Sequence, residues 1–322
     1  MTLKTKYMGI ELRSPIIVGS SSLTNTKDSI KKIEAAGAGA VVIKSLFEEQ
    51  ILADSGRNLK GTDVYNWYPE AIKNINEYSE NALIEHYLNL IDYSKNNLNI
   101  PVFASINCVS RNEWPQFALK FEEAGADALE LNIAVSPADE ISSGDDVVEN
   151  IIGIIKAVRA NCTIPVAVKL SPYFTNMNTA ISDFDNADVD GLVLFNRLFT
   201  PEIDVDSMSV SSNMQIRPVG DINNSLRWII LLSEKVKADI AGSGGIHDYT
   251  DVLRYILAGA QAVQCTSALL MNGVEYIGEL IEGVKYWMDS KGFQSIDDFR
   301  GIVCRNENNK TLFKNVQYLR FE

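Results

Sequence analysis

Eight apolar runs alternate with amphipathic helical patterns along the 322 residues, and this alternation predicts a (β/α)8 barrel. The runs are almost continuously apolar, as strands covered on both faces are. Each run also ends in polar residues, and the carboxyl ends of barrel strands meet at one mouth where such folds keep their chemistry. A doubly wound sheet is the competing arrangement, and the polar strand ends favour the barrel. We expect a single domain over residues 1–322.

Three of the strands follow a repeated joint, in which a glycine ends a helix and an apolar run begins. Its copies are AGAGAVVIKS at 36–45, AGADALELN at 124–132 and AGAQAVQCTS at 258–267. Three other runs begin at Pro15, Pro101 and Pro165, and proline fits the first residue of a strand. GLVLFN at 191–196 and ADIAGSGG at 238–245 complete the eight. The polar residues at or just past the strand ends are Ser20, Lys44, Asn107, Asn132, Lys169, Asn196, Ser243 and Thr266.

Two long connections interrupt the pattern, after the second and the sixth barrel strands. Residues 46–100 contain a predicted helix in ALIEHYLNLIDYSK and the aromatic stretch YNWYPEA. Residues 197–224 contain EIDVDSMSV, whose alternation predicts a strand or a hairpin. Connections of this length are usually functional, and the aromatic content favours lids over the mouth.

Composition and charge limit the classes of function. A net charge of -13 argues against nucleic acid as the main partner, because that affinity rests on clustered Lys and Arg. The four cysteines are far apart and form no CxxC pair, and there are only two histidines, so we expect neither a disulfide framework nor a metal site. No apolar run is long enough to cross a membrane and none reads as a signal peptide, so we expect a soluble, cytoplasmic protein that binds small molecules.

The stretch IAGSGGIHDY at 240–249 predicts an anion site. Glycines at the end of a strand allow a close approach to the backbone, and a helix start at Asp248 to Thr250 would follow. The loops after barrel strands 7 and 8 commonly form a phosphate site, and the second of them is QCTSALL, with Thr266 and Ser267. A tight turn in the first loop and simple helix capping in the second are the structural alternatives.

Lys44 and Lys169 lie at the ends of apolar strands, where a lysine is rarely buried without a partner. Each could extend its ammonium to solvent, form a Schiff base with a carbonyl substrate, or stabilise negative charge on a ligand or cofactor. Asn66, Asn132 and Asn196 offer amides that both donate and accept hydrogen bonds, which suits a planar heterocycle.

Six motifs occur in an order that resembles the dihydroorotate dehydrogenases, most like the soluble class 1 enzymes, over about Leu3 to Gly301. They are VVIKS, LELN followed by Ser-Pro, VKLSPYF, AGSGGI, AGAQAVQCTSAL and KGFQSIDDFRG. The resemblance implies that FMN accepts a hydride while dihydroorotate, or a related small cyclic amide or acid, is oxidised to orotate or its counterpart in pyrimidine biosynthesis. It also implies a homodimer.

The resemblance assigns roles by position. The FMN phosphate would be held by Gly244, Gly245, Thr266 and Ser267, Lys169 would face the pyrimidine edge of the flavin, and Lys44 would lie between flavin and substrate. The other flavin contacts would be Gly19, Ser20, Ser45, Asn132 and Gly220. The substrate would be bound by Lys44, Asn66, Asn132 and Asn196.

The sequence departs from the family pattern where the catalytic base is expected. Class 1 enzymes carry a cysteine in Asn-x-x-Cys-Pro-Asn, whereas this chain has NIAVSPAD, so Ser136 is the candidate base, with Lys44 as the second catalytic residue. YNWYPEA preserves only Asn66 of the substrate loop. Two alternatives therefore stay open: a Schiff-base lyase or aldolase acting on a phosphorylated substrate through Lys44 or Lys169, and a flavin-binding barrel without dihydroorotate activity.

Overall fold

The computed structural model describes residues 1–47, 80–107, 113–133, 143–196, 202–211 and 222–306. Eight parallel strands form the barrel, as the sequence predicts. They are β3 (Ile16–Val18), β4 (Ala40–Val42), β6 (Val102–Asn107), β7 (Ala128–Asn132), β8 (Val166–Leu170), β9 (Gly191–Leu194), β12 (Asp239–Ser243) and β13 (Ala262–Cys265). A two-residue strand, β5 (Leu46–Phe47), adds to the upper part of β6.

The barrel is closed by parallel pairing throughout. Its order is β4, β3, β13, β12, β9, β8, β7 and β6, and a pairing of β4 with β6 completes the circle. The first and last barrel strands are neighbours, with Val263 opposite Ile16 and Cys265 opposite Val18. The two ends of the domain are therefore joined in one ladder, as a barrel requires.

Helices cover the outer face of the barrel. The described residues contain α1 (Lys27–Ala35), α2 (Glu80–Asn97), α3 (Glu113–Glu123), α4 (Gly144–Arg159), α5 (Met177–Asn186), α6 (Ile222–Leu232), α7 (Tyr249–Leu257), α8 (Ser267–Asn272) and α9 (Tyr276–Lys291). Gly37, Gly125 and Gly259 follow α1, α3 and α7 with φ of +103°, +95° and +112°, so the predicted glycine joints are confirmed. Outward-facing strand residues such as Val41, Leu129 and Val168 pack against the helices in one large core.

Both predicted insertions contain the expected elements. Helix α2 includes the whole of ALIEHYLNLIDYSK and packs on the barrel beside β6. The second insertion contains an antiparallel hairpin of β10 (Glu202–Asp204) and β11 (Ser209–Ser211).

A hairpin that the sequence did not predict closes the amino-terminal end of the barrel. Strands β1 (Thr5–Tyr7) and β2 (Ile10–Leu12) are antiparallel, and Met8 and Gly9 form their turn with φ of +54° and +77°. Tyr7 and Met8 are buried with the lowest inward-facing layer of the barrel, in a second apolar cluster. A Cβ at Gly191 would lie 2.8 Å from both the Met8 side chain and the Tyr7 hydroxyl, so the barrel strand approaches this hairpin without a side chain.

Candidate active site

The alternation of side chains along the barrel strands brings polar groups inside near the mouth. In β7, Leu129 and Leu131 belong to the outer core and Ala128 to the inner cluster, so Glu130 and Asn132 face the barrel interior. Glu130 is 2% exposed. The interior is therefore apolar at the base and polar towards the carboxyl ends, where an active site is expected.

A buried lysine, amide and carboxylate form the centre of this polar layer. Lys169 Nζ donates to Gln264 Oε1 at 2.9 Å, and Gln264 Nε2 donates to Glu130 Oε2. Lys169 Nζ also lies 3.7 Å from Glu130 Oε1. Lys169 is 8% exposed, so extension into solvent is wrong for this residue. The ammonium has a fixed place at the mouth.

Gly19 follows β3 and forms part of the barrel wall beside this cluster, where it leaves no side chain. A Cβ there would lie 2.7 Å from Thr266 Oγ1 and 3.4 Å from Gln264 Oε1, so no other residue fits without displacing them. Thr266 occupies the N-cap position of α8 but its side chain makes no capping hydrogen bond, so simple capping does not explain it. Gly19 thus lies beside Thr266 and Gln264, and Gln264 holds the Lys169 ammonium.

The predicted anion loop lies next to this wall, because Ser243 pairs with Gln264 in the barrel ladder. Gly244 and Gly245 have φ of +91° and +64°, and nothing lies within 4 Å of a Cβ built at Gly244. Tyr255 of α7 fixes the loop from behind by donating to the carbonyl of Gly244 at 2.7 Å. Among the described residues, the backbone amides of Gly244 and Gly245 donate to no protein acceptor. The loop has the open space and the donors that a phosphate requires.

The helix after this loop begins where the sequence predicts. Asp248 is the N-cap of α7 and accepts from the amides of Thr250 and Asp251 at 2.7 and 3.3 Å. Asp251 accepts from the amide of His247 at 2.9 Å. Carboxylates therefore occupy the first turn of α7, so the amides open to an anion are those of the glycine loop rather than of the helix.

Lys44 is half-buried and lies in the short segment between β4 and β5, where the chain leaves the barrel ladder. The Ser45 amide donates to Ser20 Oγ at 2.7 Å, and the Ser45 hydroxyl lies 3.0 Å from Ser20 Oγ and 2.7 Å from Ser105 Oγ. The Lys44 amide donates to the Thr24 carbonyl at 3.4 Å. These bonds tie the segment to its neighbours and keep Lys44 at the mouth.

The two described asparagines of the predicted substrate site are in contact. Asn196 Nδ2 donates to Asn132 Oδ1 at 2.6 Å, and Asn132 lies opposite Lys169 in the ladder between β7 and β8. This bond leaves Asn132 Nδ2 as a donor and Asn196 Oδ1 as an acceptor on the two joined side chains. This pair suits a substrate with adjacent N–H and C=O groups.

The structure thus brings together the described members of the predicted site, while Ser136, Asn66 and Gly220 lie outside the described residues. Sequence reasoning missed Glu130, Gln264 and Ser105. A usable signal was present, because each is a polar residue inside an apolar strand, as Lys169 is, and buried polar residues need partners.

The described cysteines are unsuited to replace the missing loop cysteine. Cys162, Cys265 and Cys304 are free and buried. Burial raises the pKa of the Cys265 thiol to about 12, so it stays protonated near neutral pH. No cluster of metal-ligating side chains occurs within the described ranges, and none of the helices in them could span a bilayer.

Comparison with known proteins agrees with this geometry. A family model described as dihydroorotate dehydrogenase matches residues 2–288. The catalytic subunit of dihydroorotate dehydrogenase B (NAD(+)) from Thermoplasma volcanium is 30% identical over 315 residues, which cover 94% of this chain and 99% of the relative. The proteins of the same name from Pyrococcus furiosus and Methanothermobacter thermautotrophicus are 28% and 29% identical over 314 and 315 residues, covering 94% of this chain and 99% and 98% of their own lengths.

These matches extend over nearly the whole chain and include every barrel strand described above. Members of the matched family are oxidoreductases that act on CH–CH groups, serve pyrimidine biosynthesis and are in general flavin-dependent. By this evidence, the chain belongs to the dihydroorotate dehydrogenase family.

Proposed function

We propose that this chain binds FMN at the barrel mouth and oxidises dihydroorotate, or a closely related small cyclic amide or acid. One observation carries the proposal: Lys169, whose ammonium is held by Gln264, lies beside a barrel wall that has no side chain at Gly19. A wall without a side chain beside a buried ammonium suits a flat ring that takes on negative charge. Membership of an oxidoreductase family favours this function over the Schiff-base lyase.

The residues present fit FMN. The amides of Gly244 and Gly245 would hold its phosphate, with Thr266 and Ser267 at the start of α8, and Gly19 and Ser20 would lie against the ring. Lys169 would meet its pyrimidine edge, and Ser45, Asn132 and Gly220 would complete the contacts. When bound there, FMN supplies an acceptor for a hydride.

Each remaining group would have a role in orienting the substrate or moving its proton. Lys44 brings positive charge to the mouth and would bind the substrate carboxylate, while Asn66, Asn132 and Asn196 would bind its amide and carbonyl groups. One substrate C–H bond breaks to give the hydride and the neighbouring C–H bond gives a proton, so that a C=C bond forms. Ser136 would take the proton. A serine needs a neighbour or a water relay to do so at neutral pH, so the reaction should accelerate as the pH rises.

We also propose how this chain assembles with itself and with a partner subunit. The relatives are named as catalytic subunits, which implies that those proteins act with another subunit. We expect one domain over residues 1–322, a homodimeric core and a cytoplasmic location. The partner subunit would pass the electrons on to their final acceptor.

An absorption spectrum and an anaerobic reaction test the proposal. The purified protein should show flavin bands, and dihydroorotate should bleach them faster as the pH increases. Ser136→Ala should slow bleaching by at least about a hundredfold, the scale of losing a general base. Ser290→Ala, which removes an exposed hydroxyl on α9, is the matched control and should bleach normally.

Two results would contradict the proposal in different ways. A protein that contains no flavin and takes up no FMN would refute the cofactor. Flavin that dihydroorotate does not bleach at any pH would refute the substrate, and bleaching that is indifferent to Ser136→Ala would remove Ser136 from the mechanism.

A further inference from the structure

Glu130 lies behind Lys169 inside the barrel, and the proposed reaction makes no direct use of it. We propose that Glu130 is a positioning residue: through Gln264 it fixes the place of the Lys169 ammonium, and its negative charge limits the positive potential that Lys169 exerts at the flavin. The inference rests on the proposed function, because the flavin is the group that Lys169 would face.

The hydrogen-bonding chemistry allows only one arrangement of the three side chains. A lysine ammonium can only donate hydrogen bonds and a carboxylate can only accept them. A glutamine amide does both, because its oxygen accepts and its nitrogen donates. Gln264 must therefore turn its oxygen to Lys169 and its nitrogen to Glu130, as it does, with the lysine bond at 2.9 Å. The carboxylate sets the orientation of the amide, and the amide oxygen sets the position of the ammonium.

The charges of Glu130 and Lys169 also support a positioning role for Glu130. Within the described part of the chain, Glu130 Oε1 accepts no hydrogen bond, and Lys169 Nζ lies 3.7 Å from it. Glu130 also contributes, after burial itself, to raising the pKa of the Tyr7 hydroxyl at the base of the barrel. Among the residues that the structure describes, Lys169 is the cation paired with Glu130. Because a buried ion pair is a poor source of stability, its position at the mouth favours a role in the site.

A flavin-free measurement tests whether Glu130 and Lys169 are coupled. In the apoprotein, Lys169→Met leaves the Glu130 carboxylate buried without its cation and should lower the melting midpoint by about 5 °C or more. Adding Glu130→Gln removes that charge with little change of shape, so the double variant should recover at least half of the loss. Midpoint losses that simply add would overturn the inference.

The second measurement is the flavin's reduction potential, which a merely structural role would not move. At a fixed potential of a redox dye, Glu130→Gln should raise the ratio of reduced to oxidised flavin roughly tenfold, because a negative charge near the ring is removed. Gln264→Leu should lower that ratio, because the unbridged ammonium moves towards Glu130. The matched control is Glu282→Gln, which removes an exposed carboxylate on α9 and should leave the ratio unchanged.

The outcomes separate this inference from the proposed function. Opposite shifts in Glu130→Gln and Gln264→Leu, with coupling in the apoprotein, would support it. Bound flavin whose potential is the same in Glu130→Gln and in wild type would overturn it and leave the proposed function standing. A wild-type protein that binds no flavin would overturn the proposed function and with it the role at the flavin, while the apoprotein measurement would still decide the coupling.

Discussion

Gly244 combines a positive φ with empty space around its missing side chain. Its φ is +91°, and a Cβ would have no neighbour within 4 Å. Gly292, at the end of α9, shares both properties, with φ of +75°. A leucine at either residue would be held at a positive φ, which costs about 1–2 kcal/mol in the left-handed region. The two substitutions differ in what the new side chain would occupy.

We therefore expect Gly244→Leu to lose FMN and Gly292→Leu to keep it. The leucine side chain at Gly244 would enter the space that the phosphate needs beside the loop amides. The measurement is the ratio of flavin to protein absorbance after purification, with melting midpoints to show that both variants fold. Full flavin content in Gly244→Leu would place the phosphate elsewhere.

Single residues show where sequence reasoning succeeded and where it stopped. Lys169 was identifiable because a lysine in PVAVKL needs an explanation. Glu130 and Gln264 are equally unusual in their strands, but their meaning depends on strands β7, β8 and β13 meeting across the barrel, with Gln264 bonding to residues 95 and 134 positions away. Local patterns predict the strands and not these long-range contacts.

At the scale of elements, a tyrosine of α2 fills a gap in the barrel wall. Between β4 and β5 the chain leaves the ladder, and Ser105 of β6 has no strand partner there for its backbone groups. The Tyr87 hydroxyl accepts from the Ser105 amide and donates to its carbonyl, both at 2.8 Å. Burial raises the pKa of Tyr87, so it remains a hydroxyl able to make both bonds. Helix α2 thus supports the segment that carries Lys44.

We expect Tyr87→Phe to destabilise the protein by about 1–3 kcal/mol, because both backbone groups of a buried strand residue lose their partner. Tyr93→Phe, on the more exposed side of the same helix, should change stability by no more than about 0.5 kcal/mol. Denaturant unfolding of the two variants measures the difference. Equal stability would show that another group satisfies Ser105.

The secondary-structure elements were predictable where glycine or proline marks their ends. Glycines after helices and prolines before strands mark the starts of barrel strands, and all eight predicted strands are present. The hairpin of β1 and β2 was missed because its strands have only three residues each. Its alternation, TKY and IEL around Met-Gly, was nevertheless a readable signal for a tight turn.

At the scale of the whole molecule, the proposed FMN contacts join distant parts of the chain. Gly19 follows the first barrel strand, Gly244 the seventh and Thr266 the eighth, and these three strands are neighbours where the two ends of the domain meet. Lys169 reaches them from β8. A ligand held by all four should stabilise the closed barrel, because it binds the folded chain and not the unfolded one.

Comparing FMN with riboflavin separates the phosphate contacts from the ring contacts in this part of the barrel. Adding FMN to the apoprotein at a hundred times its dissociation constant should stabilise it by about 2.7 kcal/mol, a rise of about 5 °C in melting midpoint for a chain of this size. Riboflavin has the same ring without the phosphate, so it would use Lys169 and Gly19 but leave the amides of Gly244 and Gly245 unpaired. At equal concentration it should raise the midpoint much less. Gly244→Leu should respond to FMN no more than to riboflavin and should keep the small riboflavin response, while Gly292→Leu should respond to both as the wild type does. An equal rise with riboflavin and FMN in the wild type would mean that the glycine loop does not hold the phosphate.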